Sequence, residues 1–249
     1  MSFSLSSDSN RTLVGAITCF ETMTDHVSLC VRDQRLSVRS VDHDDTTLVG
    51  LQLQVQVHPS VGVEDLSCRP FSAACSAVMR TLQTMSGALS VSIGVSGWTL
   101  TDTIGRTQTW GHQSRLPPII MDPIYTADPG RLTLLSSDLL LYLQHIAICE
   151  SYVQFSSAGP GDLQLTATGE FLSICVRHTT PQATPVTTVD VPGIESTVSV
   201  VVKYVRSILP LLQRATELTV TLNTSMGLLI EYMLDGANGF ILLKDQVHV

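Results

Sequence analysis

The segment 48–57, Leu-Val-Gly-Leu-Gln-Leu-Gln-Val-Gln-Val, alternates apolar residues with glycine or glutamine over most of its length. Successive side chains of a strand point to opposite faces of a sheet, so a period of two predicts a strand with one polar face. Two shorter Val/Leu-rich runs precede it, at residues 27–31 and 36–40 around a polar turn. All three runs are therefore predicted strands.

Helical periodicity appears before and after these strands. The first helix follows a cap region at Asp8 and Ser9, and the second covers residues 71–85. The apolar stripes consist of Leu13, Ala16, Ile17, Phe20 and Met23 in the first helix, and Phe71, Ala74, Cys75, Val78, Met79 and Leu82 in the second. Three strand runs, at residues 89–95, 98–104 and 107–111, complete this part of the chain.

The same order of elements occurs a second time. The predicted elements are helices at 137–150 and 203–215 and strands at 152–157, 163–168, 171–178, 197–201, 217–223, 228–234 and 240–244. Pro210 is expected to kink or interrupt the last helix. Repetition on this scale predicts an α+β fold of two similar halves, residues 1–112 and 131–249, each with two helices packed on antiparallel sheets.

Residues 113–130 interrupt the periodicity with four prolines. Proline removes an amide donor and disfavours helix in the preceding residue, so this segment is predicted to be an extended linker. It is also apolar, which suggests an exposed docking strip, although the strip could instead pack on its own domain. The apolar residues of the segment are Leu116, Ile119, Ile120, Met121, Ile124 and Tyr125.

Four segments in the right order and spacing resemble the eukaryotic and archaeal sliding clamp family, proliferating cell nuclear antigen. These segments are 36–51, 152–170, 203–216 and 220–232. The resemblance spans nearly the whole chain. It implies a ring closed by trimerisation, with duplex DNA in a hole lined by the helices and a continuous sheet outside. It also implies a clamp loader, and partners that carry short clamp-binding motifs, DNA polymerase among them.

The resemblance also indicates which side chains face DNA. The candidates are Arg11, Arg80, Lys203, Arg206, Arg214 and His145. Family members carry many lysines on these helices, whereas this chain has a net charge of −8 and lysine only at Lys203 and Lys244. Contact with DNA is therefore expected to be weak and salt-sensitive. Without the resemblance, an ordinary solvated helix surface would explain the same arginines.

Two further sites follow from the resemblance. The outer partner pocket corresponds to Val41, Thr46, Leu48, Gly227, Leu243 and Asp245, bordered by the linker strip. The tail after Leu243 lacks the proline found in the family, so partner preference is expected to differ. Closing the ring would pair segment 107–116 of one subunit with 171–180 of the next. The interface candidates are Thr107, Thr109, Trp110, Ser173, Cys175 and Arg177.

No catalytic motif is present in the sequence: there is no nucleophile elbow, phosphate loop, dinucleotide fingerprint or zinc-protease motif. The acidic cluster at 42–45 lacks the glycine and the terminal glutamate of a calcium loop, so we expect a solvated loop there and no metal. We therefore expect no enzyme activity and no cofactor. The six cysteines lack CxxC pairing and are predicted to be buried free thiols in a reducing compartment.

The sequence as a whole thus predicts a homotrimeric DNA sliding clamp, a polymerase processivity factor for replication and repair. No signal peptide and no membrane-spanning run is seen, which favours a soluble intracellular protein. The resemblance implies the nucleus, or the site of viral DNA replication, since divergence and scarce lysine are compatible with a virus-encoded copy. The alternatives are a subunit of a heterotrimeric checkpoint-type clamp and a clamp-fold interaction scaffold without a DNA role.

Overall fold

The computed structural model describes residues 1–42, 47–58, 71–111, 131–149, 152–157, 162–168, 173–179, 196–223 and 227–245. The chain divides into two compact units. One comprises Met1–Met121 with Asp235–Gly239, and the other comprises Asp122–Leu234 with Phe240–Val249. The predicted linker at 113–130 lies outside the described residues.

The first half of the chain forms two antiparallel sheet sections and two helices. Its elements are β1 Ser2–Leu5, α1 Ser7–Glu21, β2 His26–Arg32, β3 Arg35–Val41, β4 Thr47–Gln54, β5 Gln56–His58, β6 Phe71–Ala74, α2 Cys75–Thr84, β7 Leu89–Ile93, β8 Gly97–Asp102 and β9 Thr107–Gly111. One section has the order β5-β1-β7-β8-β9, and the other has the order β4-β3-β2-β6.

The second half repeats this scheme. Its elements are β10 Arg131–Leu135, α3 Ser136–Ile146, β11 Tyr152–Ser157, β12 Asp162–Thr168, β13 Ser173–Thr179, β14 Ser196–Val201, α4 Val202–Leu212, β15 Glu217–Asn223, β16 Gly227–Leu234 and β17 Ala237–Leu243. The order β10-β15-β16-β17 corresponds to β1-β7-β8-β9, and β13-β12-β11-β14 corresponds to β4-β3-β2-β6. The duplication predicted from the sequence is confirmed in the pairing of the strands.

The strands that open the two halves, β1 and β10, were not predicted. Both are short, at four and five residues, so the alternation of polar and apolar residues in each is too brief to predict a strand. Pairing identifies them: β1 lies against β7 with Leu5 opposite Leu89, and β10 lies against β15 with Leu135 opposite Glu217. A short strand is fixed by its neighbour in the sheet more than by its own sequence.

The apolar face of the β4-β3-β2-β6 section turns towards the helices. On β3, Leu36, Val38 and Ser40 share one face and are at most 1% exposed. The Ser40 hydroxyl contacts Thr24 and lies 3.8 Å from Cys75 Sγ at the start of α2. Burial raises the pKa of the Cys75 thiol and outweighs the opposing hydrogen bonds from Thr24 and Ser40, so Cys75 stays protonated.

The helix predicted over residues 71–85 is shorter in the structure. Residues Phe71–Ala74 form strand β6, which pairs with β2, and α2 begins only at Cys75. The Cys75 amide donates to the Asp25 carbonyl at 3.0 Å, which joins the start of the helix to the residue just before β2. The apolar pattern predicted a helix that was too long at its start. Phe71 is buried in strand β6, and a buried apolar residue fits a strand or a helix equally well.

Helix ends differ from the predictions by a few residues. The N-cap of α1 is Ser6, whose hydroxyl accepts from the Ser9 amide at 3.0 Å, in place of the predicted Asp8/Ser9 cap. Helix α4 continues through Pro210 to Leu212, where a prolyl ring in the last turn removes only one late hydrogen bond. Helix α3 ends at Ile146, short of the predicted residue 150.

The described cysteines are free thiols, but not all of them are buried. Cys19, Cys75 and Cys149 are buried, Cys30 is half-buried and Cys175 is exposed on β13. The prediction of buried thiols is therefore wrong for Cys175, and Cys68 lies outside the described residues. Within the described ranges, no helix has both the length and the apolar character needed to cross a membrane.

Candidate nucleic-acid interface and partner surfaces

The two candidate cations of the first half lie on exposed helix faces, and both are already engaged. The Arg11 guanidinium donates to the Asp8 carboxylate one turn earlier on α1, where both side chains are more than three-quarters exposed. On α2, Arg80 Nε donates to the Ser76 carbonyl of its own helix at 3.1 Å. Asp8 offsets the charge of Arg11, so this half offers little positive potential for a phosphate.

In the second half, Lys203 and Arg214 are exposed near the two ends of α4. Lys203 stands in the first turn, where the positive end of the helix dipole disfavours a cation. Arg214 lies in the turn that follows Leu212, with its amide donating to the Leu211 carbonyl at 3.1 Å. A lysine placed against a local rule of helix stability is consistent with a binding role.

Arg206 binds the end of the neighbouring helix α3, a role that the sequence did not indicate. Its Nε donates to the Ala147 carbonyl at 2.7 Å, and its Nη2 donates to the Cys149 carbonyl at 2.8 Å. Both carbonyls follow the end of α3 at Ile146, where the negative end of the helix dipole favours a cation. Arg206 therefore caps α3 from α4, with its side chain on the exposed side of the helix pair.

The exposed side of α3 carries no permanent cation. His145 is exposed there, together with Leu141, which is 50% exposed, and Ile148, just after the helix, is 65% exposed. Over the four helices of the described residues, four cations stand against three anions. These are Arg11, Arg80, Lys203 and Arg206 against Asp8, Glu21 and Asp138. The helices of the first half therefore have no net formal charge, and those of the second half have a net charge of only +1.

The candidate partner residues fall into two described groups. In the first half, Val41 on β3 lies directly opposite Leu48 on β4, and both are half-buried on the face that turns away from the helices. A neighbouring pair of half-buried apolar side chains is suited to receive an apolar anchor. Thr46 and the linker residues Ile119, Ile120, Met121, Ile124 and Tyr125 lie outside the described residues.

In the second half, Gly227, Leu243 and Asp245 lie near the paired ends of β16 and β17. A Cβ added to Gly227 would stand 2.1 Å from the Leu243 carbonyl oxygen, so β16 approaches β17 too closely for any side chain. Leu243 is 1% exposed and belongs to the core, so its side chain does not offer the partner surface that was predicted for it. The Asp245 carboxylate accepts from the Ser199 amide at 3.2 Å, which ties the segment after β17 to the edge of β14.

The two predicted interface segments are sheet edges. Strand β9 is the last strand of β5-β1-β7-β8-β9, and β13 is the last strand of β13-β12-β11-β14. Within the described ranges, no strand pairs with the outer side of either one. The candidates Thr107, Thr109, Ser173 and Cys175 are exposed on these edges, and Trp110 is half-buried. Arg177 is bound to Asp162 through two bonds of 3.0 Å, and this carboxylate raises the pKa of the guanidinium.

A buried carboxylate beside β9 was not predicted. Asp102 at the end of β8 accepts from the Arg106 amide at 2.9 Å, from Arg106 Nε at 2.8 Å and from the Ile104 amide at 3.1 Å. Burial alone would raise the pKa of Asp102, but these hydrogen bonds and one from the Ser86 amide outweigh it and lower the pKa. These hydrogen bonds to Asp102 hold the turn between β8 and β9 in place. The sequence signal, an aspartate before a Gly-Arg turn, is common and gave no reason to single it out.

No family model matches the sequence, and no curated protein matches it either. Solved structures do match along nearly the whole chain. The complex of PCNA2 and PCNA3 from Sulfolobus tokodaii has a TM-score of 0.72 at 14% identity, with 99% of this chain and 99% of that chain covered.

Two further structures are similar to the same extent. Proliferating cell nuclear antigen (PCNA) from Thermococcus kodakaraensis has a TM-score of 0.73 at 18% identity, covering 98% of this chain and 100% of that one. The antigen from Entamoeba histolytica has a TM-score of 0.72 at 12% identity, covering 98% of each chain. At such identities the likeness concerns the fold. This chain therefore has the α+β fold of the proliferating cell nuclear antigen clamps over nearly its full length.

Proposed function

We propose that this protein is a DNA sliding clamp: three copies close into a ring around duplex DNA and tether polymerases and repair proteins to it. It acts by tethering and not by catalysis. The observation that supports this most strongly is the full-length fold likeness. Such a ring needs repeated modules, each with an exposed helix pair and an exposed sheet edge. The two halves of this chain supply both features.

Retention on DNA would come from topology. A closed ring cannot leave the duplex sideways, so the lining needs only weak contact with the phosphates. The exposed cations that fit this role best are Lys203 and Arg214, since Arg11 is paired with Asp8 and Arg206 caps α3. Few phosphate contacts give weak, salt-sensitive binding that allows sliding. The near-neutral helix surface is therefore compatible with a clamp, although it would not suit a protein that binds DNA by affinity.

A heteromeric ring is the second candidate. One of the similar structures is a complex of two different PCNA chains. The few cations on the helices of this chain would be sufficient for contact with DNA if other subunits of the ring supplied more of them. In that case this chain would occupy one position in a ring whose remaining positions are filled by different clamp-fold chains.

Analytical ultracentrifugation over a wide concentration range separates these candidates. A homomeric clamp is expected to reach three times the 26.9 kDa mass of the chain. A chain that stays monomeric alone and assembles only when co-expressed with other clamp-fold chains would favour the heteromeric ring.

The DNA role is tested by polymerase run length on a primed template, which should increase with the assembled protein and a clamp loader. No increase would favour an interaction scaffold.

A further inference from the structure

We propose that the tip of the β2–β3 hairpin binds an acidic segment of a partner protein. Arg32 and Arg35 supply the positive charge, and Gln54 of β4 lies beside them. The inference rests on the tethering role of the proposed function for its occupant, but the site lies within one half of one copy. It is separate from the apolar pair Val41 and Leu48, which stands at the opposite end of β3 and β4.

The two arginines face each other across the end of the hairpin. Arg32, the last residue of β2, lies directly opposite Arg35, the first residue of β3, and Arg35 lies opposite Gln54 at the end of β4. Directly opposed side chains share a face of the sheet, with Cβ atoms about 5 Å apart. Like charges in this position destabilise a hairpin. A pair that breaks this rule is consistent with a site that binds an anion between its two members.

Both guanidinium groups can be reached from solvent. Arg35 is exposed and makes no ion pair or side-chain hydrogen bond with another described residue. Arg32 Nε lies 3.5 Å from the Asp33 carboxylate, and these two side chains are 75% and 87% exposed. An ion pair this long and this solvated contributes little to stability. A carboxylate of a partner can therefore displace Asp33 and accept charge-assisted hydrogen bonds from both arginines.

The turn between the strands holds the arginines in place. Its two central residues, Asp33 and Gln34, have φ of +49° and +60°. Left-handed backbone at both positions is typical of the two-residue type I′ turn, whose twist matches that of the flanking strands. The Gln34 carbonyl also accepts from the Val55 amide at 2.9 Å, so the tip is joined to the residue after β4. A tip held in this way loses little backbone freedom when a ligand binds.

The sheet face around the tip carries arginines but no carboxylate. This outer face is the one that turns away from the helices in the β4-β3-β2-β6 section. The register of its described strands places Arg32, Arg35 and Arg39 on it, and no aspartate or glutamate. Arg39 is 5% exposed and lies out of reach of a partner. In a chain with a net charge of −8, this segregation of charge favours an acidic ligand at the two exposed arginines.

The corresponding sheet section of the second half lacks such a pair. Asp162 begins β12, as Arg35 begins β3, and it accepts two hydrogen bonds of 3.0 Å from Arg177 of β13. These two residues are the only permanently charged ones in the described strands β11, β12, β13 and β14. The second half thus builds the same section with a neutralised ion pair, so the fold itself does not require opposed arginines.

A protein segment fits this tip better than DNA does. In the proposed ring the helices face the duplex, so the outer face would be turned away from it. An extended segment places alternate side chains on one side, about 7 Å apart. Two flexible arginine side chains can each reach one of two such carboxylates, and clusters of arginines are a recurring means of recognising acidic motifs. The expected occupant is an extended segment in which acidic residues alternate with uncharged ones.

Fluorescence anisotropy at low salt tests this with a labelled peptide of alternating glutamate and serine. Arg32→Ser/Arg35→Ser should weaken binding of this peptide by about tenfold or more, because two charge-assisted contacts are lost. The matched variant Arg11→Ser/Arg80→Ser removes the same charge from the helices of the same half. It should change the affinity by less than about twofold, since exposed charges beyond a Debye length are largely screened. A peptide with glutamine in place of glutamate should bind at least about tenfold more weakly to the unmodified protein.

Circular dichroism checks that both variants are folded. No binding by the unmodified protein, or equal weakening in the two variants, would overturn the site. A loss of affinity for duplex DNA, and not for the peptide, in Arg32→Ser/Arg35→Ser would overturn it in favour of nucleic acid. The peptide titration needs neither a ring nor DNA, so its failure would leave the clamp intact. Conversely, a protein that forms no ring but binds the peptide at these arginines would overturn the clamp alone.

Discussion

Single arginines on and beside the helices differ in what they bind, and this decides which of them could contact DNA in the proposed clamp. Arg206 holds two carbonyls at the end of α3, whereas the Arg214 side chain extends from the turn after α4. Spacing on a helical wheel places both on one face and cannot separate these roles. The carbonyls that Arg206 reaches belong to residues far earlier in the chain, and only the packing of α3 beside α4 reveals them.

Arg206→Ala is expected to lower the free energy of unfolding by about 1 kcal/mol, because it removes two charge-assisted hydrogen bonds at a helix end in a solvent-exposed place. Arg214→Ala is the matched control and should change stability by less than about 0.5 kcal/mol. Urea denaturation of the two variants measures the difference. Equal, negligible effects would show that the cap does not contribute to stability.

Reversing the charge of the two available cations should weaken DNA binding. For Lys203→Glu/Arg214→Glu, the slope of log K against log salt concentration is expected to fall by about 0.9 for each phosphate that is no longer neutralised. The matched double reversal Arg11→Glu/Arg80→Glu should have a smaller effect, since these side chains already bind Asp8 and Ser76. Salt titrations with fluorescent duplex DNA measure both slopes. An equal fall in the two variants would contradict this ranking.

Asp102 should make the first half sensitive to acid. Its pKa is lower in the folded than in the unfolded chain, so its contribution is fully present above the unfolded pKa. The contribution is lost as the pH falls through the folded pKa. The difference in unfolding free energy between the unmodified protein and Asp102→Asn should therefore be largest near neutral pH and shrink below about pH 4. Thermal melts across this range measure it, and a difference that stays constant would contradict the assignment.

At the scale of elements, β2 and β3 were predicted with boundaries close to those observed. The run predicted as one strand over 48–57 is divided in the structure into β4, which ends at Gln54, and β5, which belongs to the other sheet section. The alternation in these runs places Val38 and Leu51 in the core, and no tertiary information is needed to see it. Strands β1, β6 and β10 were missed because each is only four or five residues long and is identified by its partner strand. Residues 71–74 fit both a strand and the first turn of a helix, and pairing with β2 decides between them.

The close approach of β16 to β17 depends on Gly227. This residue has φ of +109°, and any Cβ would meet the Leu243 carbonyl oxygen at 2.1 Å. Gly227→Ala must displace β17 or strain the backbone, so we expect a loss of about 2 kcal/mol or more of unfolding free energy. Gly236→Ala is the control: its φ is +72°, but a Cβ there would meet nothing within 4 Å.

The control should cost about 1 kcal/mol, since it carries only the conformational penalty. Chemical denaturation of both variants measures the two losses. Binding of a peptide with aromatic anchors should also weaken in Gly227→Ala, because Leu243 and Asp245 would move with the end of β17. Unchanged stability in this variant would contradict the described contact between the two strands.

At the scale of the whole molecule, the duplication was evident from the sequence, because each half shows two helical stripes and the same succession of strands. The candidate DNA surface could be predicted only as a set of exposed positions. Whether each cation there is engaged depends on its neighbours: Asp8 lies one helical turn from Arg11 and can be identified from spacing, but the Ala147 carbonyl bound by Arg206 cannot.

Encirclement of DNA is tested most directly with linear DNA whose ends can be blocked. The assembled protein is incubated with linear duplex DNA, the ends are then blocked with bulky protein caps, and the complex is washed with high salt, which removes proteins held by phosphate contacts. A ring should stay on the blocked DNA and slide off as soon as a restriction enzyme cuts it. Loss in the salt wash despite blocked ends, or retention after cutting, would contradict the clamp.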